Sequence, residues 1–433
     1  MAKHIQMPPT YPIPNNWTWV ELRKLAKIIS GFPFDSKLFS DVPTEGRPLI
    51  RIRDVVRGYT ETYTTEDCPE QYIIHKNDIL IGMDGDFNVG RWQDETALLN
   101  QRVCHIQSTS DLLLNDYLFY FLPTPLKQIN DVTPSVTVKH LSTKTIESIM
   151  IPLPPVEEQI RLSELIQSLF AKLDEAKEKA QEVVDRFETR KAAILHKAFS
   201  GELTTKWREE NGFSFDEWNN KLFDECIEKM QNGLAKRKGS TGVPYVVLRL
   251  ANLSDDGFIT DDLREIALDE KEQKSYKLNV DDIVMIRVNG SKDNVAKQIL
   301  VTENNLWAFC DHIIRIKYNE SVLPEYMVLY SKSEAYKIYV KDNIVSSAGQ
   351  NTISRKGMAR LSIPVPPIEE QKEIANILSN MFDKERCVKE TAETVIEQID
   401  TMKKAILARA FRGELGTNDP NEESAIELLK QIL

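Results

Sequence analysis

The chain has 433 residues, five cysteines and a formal net charge of −11. This length predicts several domains, and the negative charge excludes a protein that coats DNA through a broad basic surface. The cysteines form no Cys-x-x-Cys pair and the histidines show no ligand spacing, which favours a protein of the reducing cytoplasm without disulfides or bound metal. No run approaches the ~18 apolar residues of a membrane span, so we expect a soluble protein without a membrane partner.

Residues 1–150 are predicted to form a first mixed α/β domain of short strands. Pro48–Val55 and Asn77–Gly85 are rich in β-branched and apolar residues, and the second run stops at a turn glycine. The loop after it and the stretch Ser135–His140 carry side chains whose geometry suits base edges and phosphates. Ordinary solvated loops are the alternative interpretation. From these loops we select as candidate DNA-binding residues Asn88, Arg91, Lys139 and His140.

An internal repeat begins at Ile151, where Ile-Pro-Leu-Pro-Pro-Val-Glu-Glu-Gln matches Ile-Pro-Val-Pro-Pro-Ile-Glu-Glu-Gln at Ile363. The match runs without a gap over residues 151–203 and 363–415, with 23 identities in 53 positions. The prolines stop the preceding strand, the Glu-Glu pair suits a helix N-terminus, and Gly201 or Gly413 suits the C-terminus. Each copy therefore predicts a helix of about 43 residues, roughly 65 Å long.

Apolar residues recur along both predicted helices with the 4-3-4-3 spacing of a heptad seam. In the first copy they are Leu162, Ile166, Leu169, Leu173, Ala176, Ala180, Val183, Phe187 and Ile194. In the second copy they are Ile374, Leu378, Met381, Val388, Ala392, Val395, Ile399, Met402 and Ile406. We interpret the two helices as partners in an intramolecular antiparallel coiled coil. The alternative is that each stripe packs on its own domain.

Residues 204–362, between the two copies, are predicted to form a second domain of the same fold. Pro244–Leu253 and Asp281–Gly290 are its clearest β-rich runs, and Lys236–Lys238 is its clearest basic cluster. Residues 416–433 are expected to form a C-terminal tail helix. The candidate DNA-binding residues of this half are Lys236, Arg237, Lys238, Asn289, Ser291, Lys292, Lys297, Gln350 and Asn351.

A charge interrupts the heptad seam once in each helix. Arg190 stands where the repeat has Met402, and Glu385 stands where the repeat has Leu173. In an antiparallel helix pair, the residue numbers of two facing positions add up to the same value along the whole pair. If Arg190 faces Glu385, this value is 575. We therefore predict an Arg190–Glu385 ion pair that specifies the register, because a shift by one heptad leaves a charge in an apolar seam. The alternative is that one or both side chains extend to solvent.

Sequence motifs of the enzymes that act on DNA are missing. The chain has neither an Asn-Pro-Pro-aromatic loop with a glycine-rich cofactor turn nor a Gly-x-x-x-x-Gly-Lys-Ser/Thr loop. The string Asp269-Glu-Lys271 superficially matches nuclease sites but lacks an acidic partner motif. These observations predict a protein without methyltransferase, ATPase or nuclease activity of its own.

The paired Pro-x-Pro-Pro-x-Glu-Glu-Gln segments at Pro152 and Pro364, each followed by a long helix that ends near Ala-Phe-x-Gly-Glu-Leu, resemble the specificity subunits of type I restriction-modification systems. The resemblance covers nearly the whole chain. It implies an α+β fold with a pseudo-two-fold internal repeat, in which two target recognition domains are separated by the antiparallel helices. Each domain would read one half of a split DNA site.

The same resemblance implies partners and cofactors. The family acts on double-stranded DNA with two methylating subunits, which use S-adenosylmethionine to modify adenine, and with ATP-driven motor-nuclease restriction subunits. The chain itself is expected to bind no cofactor. A structural or tethering protein, whose helices bind other coiled coils, is the alternative function.

Overall fold

The computed structural model describes residues 11–134, 138–239, 241–255 and 257–432. The chain forms two compact units. The first runs to residue 180 and resumes at residue 394, and the second comprises residues 181–393. Each unit therefore contains part of both long helical segments. None of the helices in the described ranges combines the length and the apolar character that a bilayer crossing requires.

The first half of the chain contains short strands and helices followed by a long helical segment. Its strands are β1 (Thr18–Glu21), β2 (Ala26–Ser30), β3 (Phe39–Ser40), β4 (Arg47–Ile50), β5 (Tyr63–Thr64), β6 (Ile73–Ile74), β7 (Ile79–Gly82), β8 (Val89–Arg91), β9 (Ala97–Leu99), β10 (Val103–Ser108) and β11 (Met150–Leu153). Its helices are α1 (Asp54–Arg57), α2 (Asn115–Phe121), α3 (Pro123–Val132), α4 (Thr143–Glu147), α5 (Val156–Asp185), α6 (Phe187–Phe199) and α7 (Thr205–Asn211).

The second half likewise contains short strands and helices followed by a long helix. Its strands are β12 (Asn219–Leu222), β13 (Ile227–Asn232), β14 (Val243–Leu248), β15 (Leu253–Ser254), β16 (Gly257–Phe258), β17 (Glu265–Leu268), β18 (Ile283–Ile286), β19 (Val288–Asn289), β20 (Gln298–Leu300), β21 (Trp307–Phe309), β22 (Ile313–Tyr318), β23 (Val345–Ser347), β24 (Gln350–Thr352) and β25 (Ser362–Val365). Its helices are α8 (Glu270–Tyr276), α9 (Pro324–Tyr330), α10 (Glu334–Asn343), α11 (Arg355–Met358), α12 (Ile368–Ala410) and α13 (Ala425–Ile432).

The two halves share a sheet plan. An antiparallel sheet of order β2-β10-β7-β8 in the first half corresponds to β13-β22-β18-β20 in the second. A parallel pair, β4 with β9, corresponds to β14 with β21. The runs predicted as strands fall on β4, β7, β14 and β18. We call the parts of the chain that carry these sheets, residues 22–149 and 223–361, the first and second readers.

Each reader begins and ends at one antiparallel ladder. Strand β1 pairs with β11, with Thr18 opposite Leu153, and β12 pairs with β25, with Asn219 opposite Val365. The two ends of each reader therefore lie next to each other, as they do in domains that tolerate insertion and exchange.

The repeated glutamine ties each reader to its long helix. Gln159 is fully buried, and its Nε2 donates to the carbonyls of Leu112 and Pro154 at 2.8 and 3.0 Å, while its Oε1 accepts from the Leu114 amide at 2.9 Å. Gln371 makes the corresponding three bonds with Ser321, Leu323 and Pro366. Because every partner is a backbone group, these three hydrogen bonds do not depend on which side chains the reader carries.

The C-terminal segment belongs to the core of the first unit. The buried Glu158 carboxylate accepts from Trp17 Nε1 at 2.8 Å and from Asn418 Nδ2 at 2.7 Å. The Ala425 amide, at the start of α13, donates to the Asn16 carbonyl at 3.1 Å. The predicted tail helix therefore begins next to Asn16, just before strand β1.

The predicted second long helix is present as the 43-residue helix α12, and the predicted first long helix is present as α5 followed directly by α6. Arg186 (φ −84°, ψ −3°) separates α5 from α6. The helical hydrogen bonds continue through this residue, since the Arg186 amide donates to the Glu182 carbonyl at 3.1 Å and the Arg186 carbonyl accepts from the Arg190 amide at 3.0 Å. The two parts therefore form one long helical segment, as predicted, with a local irregularity at Arg186. Gly201 and Gly413 follow the helices with positive φ of 81° and 72°, as predicted for C-terminal glycines.

Within the second unit, the two helices pack antiparallel in the predicted register. Arg190 Nε donates to Glu385 Oε2 at 2.7 Å, and the two side chains are 32% and 23% exposed. Arg190 also donates to the Val183 carbonyl at 3.2 Å. One layer away, Lys389 Nζ lies 5.0 Å from the centre of the Phe187 ring. The charged layer is therefore half-buried and fully paired.

Within the first unit, two ion pairs join the residues that directly follow the predicted facing pairs Leu173–Met402 and Ala176–Ile399. Lys177 Nζ lies 2.8 Å from Asp400, and Lys403 pairs with Asp174. Leu169, Leu173, Met402 and Ile406, predicted as two facing layers, line one apolar groove. The seam is not evenly buried, since Met402 and Val388 are each 49% exposed. A two-helix seam covers only one side of each helix, and heptad spacing alone overestimates burial there.

The charged layer yields a first testable prediction. Replacing Arg190 by alanine is expected to lower the free energy of unfolding of the second unit by about 1–2 kcal/mol, because a half-buried charge-assisted hydrogen bond is lost. Arg190→Glu should cost more, and adding Glu385→Arg should restore most of the loss. A double-mutant cycle from denaturant unfolding measures this coupling. Strictly additive single-variant effects would contradict a specific pair.

Candidate nucleic-acid interface

In the first reader, the turn after β7 and the strand β8 that follows it each carry one of the candidate residues, in different environments. Asn88 is exposed, and its carbonyl closes the turn by accepting from the Gly82 amide at 2.8 Å. Arg91 is instead engaged within the reader: its Nη2 lies 2.6 Å from Asp116, and its guanidinium lies 4.4 Å from the centre of the Phe119 ring. Asn88 is thus available to a ligand, whereas Arg91 stabilises the position of α2.

The remaining first-reader candidates lie beside the same turn. His140 Nδ1 is 2.7 Å from Asp84, which also accepts from Arg102 at 3.1 Å. Lys139 Nζ donates to the carbonyl and side chain of Asn130 at 2.6 and 3.1 Å. The structure therefore brings the two predicted loops together, although Lys139 is largely used within the reader. Residues 135–137 of the predicted stretch lie outside the described residues.

In the second reader, β19, β24 and β23 form a small sheet that joins two predicted loops. Asn289 lies opposite Asn351, and Ser291, Lys292 and Gln350 are exposed around them. Asn351 is only 8% exposed, and its Nδ2 donates to the Gly290 carbonyl at 2.8 Å. The Asn351 side chain therefore holds the loop in shape, which corrects its selection as a residue that reaches DNA directly.

The predicted basic cluster lies close to this small sheet. Lys236 Nζ lies 2.7 Å from Glu272, Arg237 lies 2.9 Å from Asp311, and Lys238 is exposed. Burial alone would raise the pKa of Asp311, but the hydrogen bond and charge of Arg237 outweigh it and hold that pKa below its usual value. The carbonyl of His312, the next residue, accepts from the Val288 amide in β19.

Lys297 lies at a cavity next to the loop that carries Lys292. Its Nζ is 2.5 Å from Asp255, and together with Lys292 it lines this cavity of about 390 Å³ beside α6 and α10. Acidic residues, among them Asp293 and Glu334, line the same cavity. Lys297 therefore lies with Lys292 at this cavity and pairs with Asp255 rather than standing free among the exposed loop residues.

Several cationic side chains beside the candidates were not selected from the sequence. Arg102, Arg249 and Arg264 lie next to buried strands, and His312 precedes β22. Arg249 directly follows the apolar run of β14, and a basic residue at the end of a buried strand is a signal that could have identified it. Arg264 lies in a polar connection, where the sequence offers no such signal.

Cys310, Asp311 and His312 form a group of potential metal ligands whose ligand atoms lie within 4.8 Å of one another. Asp311 is already paired with Arg237, and burial raises the pKa of the Cys310 thiol. A protonated thiol and a paired carboxylate are poor ligands, so the group fits a structural cluster better than a metal site.

Fold and site together define a protein with two copies of one binding domain, each attached to a long helical frame. The exposed loop residues offer amides, hydroxyls and cations, which are the groups that hydrogen-bond to base edges and phosphates. The family model described as the type I restriction modification DNA specificity domain matches residues 14–185 and 251–398. The chain belongs to this family of specificity subunits, and the predicted α+β fold with two similar domains and long helices is confirmed.

Relatives of known name match over nearly the whole chain. The EcoBI specificity subunit of Escherichia coli is 29% identical over 97% of this chain and 92% of its own length. The StySPI specificity subunit of Salmonella potsdam is 27% identical over 93% and 90%.

Solved structures show the same fold. The HsdS subunit of Thermoanaerobacter tengcongensis has a TM-score of 0.58 at 16% identity and covers 94% of this chain and 99% of its own. A chain from a study of complex assembly and conformational transition of the type I R-M system reaches a TM-score of 0.66 at 16% identity, with 94% and 100% covered.

Proposed function

We propose that this specificity subunit reads a split target in double-stranded DNA, with one half-site read by each reader. The main support is that the two readers have the same fold but different loop residues. The same four-stranded sheet and parallel strand pair occur in both readers, but the loops beside them carry different residues, such as Asn88 and His140 in one and Asn289 and Gln350 in the other. Because base choice depends on loop side chains, two different readers select two different half-sites.

We also propose that the chain is not catalytic and serves partner enzymes. It would act with two methylating subunits, which bind S-adenosylmethionine, and with restriction subunits, which bind ATP, and would bind no cofactor itself. The nuclease-like string supports this assignment, because Asp269 accepts from the Glu272 amide at 2.8 Å and caps α8. That carboxylate has a structural use.

Charge pairing supports a need for partners. Arg91, Arg102 and Arg237 each face a carboxylate of the reader, at 2.6, 3.1 and 2.9 Å. Cations that are already paired contribute less to phosphate attraction than free ones. With a net charge of −11, the chain should bind DNA weakly alone and more tightly when methylating subunits supply further positive charge.

A second candidate function is that of a tethering protein whose helices bind other helices. The apolar groove lined by Leu169, Leu173, Met402 and Ile406 favours it, because exposed apolar surface on a helix pair suits a further helix.

A gel-retardation experiment separates the two functions. The chain, mixed with its cognate methylating subunits, should retard a duplex with the split target far more strongly than one with the same base composition in scrambled order. The methylating subunits alone serve as the control. Equal retardation of both duplexes would remove the proposed reading function and leave the tethering function.

A further inference from the structure

The second reader contains a concave pocket beside the end of β14. It has a volume of about 320 Å³, and its floor is apolar, with Val247, Leu250, Ile266 and Cys310. Four cations and a histidine surround this floor, and we call the site they form with it the cationic pocket: Lys236, Arg237, Arg249, Arg264 and His312. The described residues that line it include no carboxylate.

The carboxylates around the cationic pocket do not balance its positive charge. Glu272 pairs with Lys236, and Asp311 is shared by Arg237 and His312. Arg249 pairs with Asp262, whose side chain is 83% exposed, and a pair so open to water is worth little. Arg249 can therefore exchange this partner for another anion.

Arg264 carries the excess charge. It forms no ion pair with any residue in the described ranges and donates only to the Arg237 carbonyl. A guanidinium in this position keeps further donors for a ligand, and guanidinium donors match the oxygens of a phosphate. The pocket thus presents convergent cationic donors above an apolar floor.

The position of the pocket connects it to the candidate loops. The His312 carbonyl accepts from the amides of Arg287 and Val288, so the wall of the pocket continues into β19 and the exposed residues around Asn289. A ligand that contacts the small sheet and the pocket together must be extended and anionic. Base edges lie inside the grooves of a duplex, whereas its phosphates protrude, and a concave cationic site fits the protruding group.

The first reader shares only part of this pocket: the backbone alignment places Arg51 at the position of Arg249 and Arg102 at that of His312, but changes the other cationic positions. The Leu49 amide donates to the Thr62 carbonyl as the Val247 amide donates to that of Arg264, so Thr62 occupies the place of Arg264. The bridges Phe32–Asn100 and Leu234–Cys310 correspond in the same way. This alignment places Asp35 at the position of Arg237.

We propose that the cationic pocket binds a backbone phosphate of the DNA next to the half-site read by the second reader, through Arg264, in whose place the first reader has Thr62. This proposal rests on the proposed function and adds to it a phosphate contact that depends on a residue of the second reader. The contact positions the DNA and does not choose a base, since phosphates carry no sequence information.

The test measures the affinity of the complex of this chain with its methylating subunits for the split target and for scrambled DNA, at several salt concentrations. Arg264→Gln should weaken binding to both duplexes by the same factor, about 5- to 10-fold at low salt, and should reduce the slope of log affinity against log salt by about 1. Arg264→Lys retains the charge and should retain the slope. Lys317→Gln, an exposed charge on β22, is the matched control and should leave both unchanged.

Three outcomes overturn the proposal. The first is an unchanged slope in Arg264→Gln and in the double variant with Arg249→Gln, both shown to be folded by thermal unfolding. The second is weakening confined to the split target with altered preference at one base pair, which indicates base reading. The third is a wild-type complex that does not distinguish the two duplexes, which refutes the proposed function itself and with it this proposal.

Discussion

Replacing Glu370 by glutamine is expected to lower the free energy of unfolding of the second unit by about 3 kcal/mol or more, because it leaves a buried guanidinium without a counter-charge. The Glu370 side chain is 0% exposed and that of Arg208 is 8% exposed, and they lie 2.5 Å apart. Trp218 Nε1 and Thr204 Oγ1 donate to the same carboxylate at 2.8 and 2.6 Å. The glutamine keeps an acceptor for one donor but cannot neutralise Arg208.

The internal repeat provides a matched control for this variant. Glu158 occupies the same repeat position in the first unit, where its donors Trp17, Thr417 and Asn418 are all neutral. Glu158→Gln should therefore cost less, about 1–3 kcal/mol, as expected for lost hydrogen bonds to a charged group. Native-state hydrogen exchange followed by mass spectrometry reports the two units separately. An effect of Glu370→Gln no larger than that of Glu158→Gln would contradict the role of the buried charge.

Exchanging the first reader, residues 22–149, for the equivalent segment of another family member is expected to change one half of the recognised target completely and the other half not at all. The exchange keeps β1 and β11, so the ladder from Thr18 to Leu153 remains. It also keeps Gln159, whose partners in the reader are the backbone groups of Leu112 and Leu114. Any reader with the same backbone can make these bonds, which is the physical reason to expect modular behaviour.

The reciprocal exchange of the second reader, residues 223–361, is the control and should change the other half-site only. Mapping of methylated adenines in cells that carry each exchanged chain measures the outcome. If either exchange altered both half-sites, the two readers would not act independently.

The long helices and their register were predictable because they depend on local spacing within one segment. The heptad spacing, the prolines before each helix and the glycine after it all lie within a single stretch of sequence. The Arg190–Glu385 pair follows from the two charged residues that interrupt the heptad seam. The role of the repeated Glu-Glu-Gln was only partly predictable. The sequence indicates a helix N-terminus, but Glu158 and Gln159 bind groups from distant parts of the chain, such as Trp17, Asn418 and Leu112.

The residues of the candidate nucleic-acid interface were less predictable than the long helices. Residue type alone cannot separate Asn88, which is exposed, from Arg91, which is paired with Asp116 on α2. Asn351 likewise has the right chemistry, but a hydrogen bond to Gly290 across the small sheet uses its amide. Conversely, Arg264 was not predicted as a DNA-binding residue, because the pocket that surrounds it is built from strands far apart in sequence. Which polar groups remain free depends on tertiary partners.

The most direct test of the central claim is to map methylated adenines in cells that carry this chain with its methylating subunits and in otherwise identical cells that lack it. We expect one split motif with a gap of fixed length, methylated in the first cells and unmethylated in the second. A continuous motif, or methylation that persists unchanged when the chain is absent, would contradict a specificity subunit that reads its target through two readers.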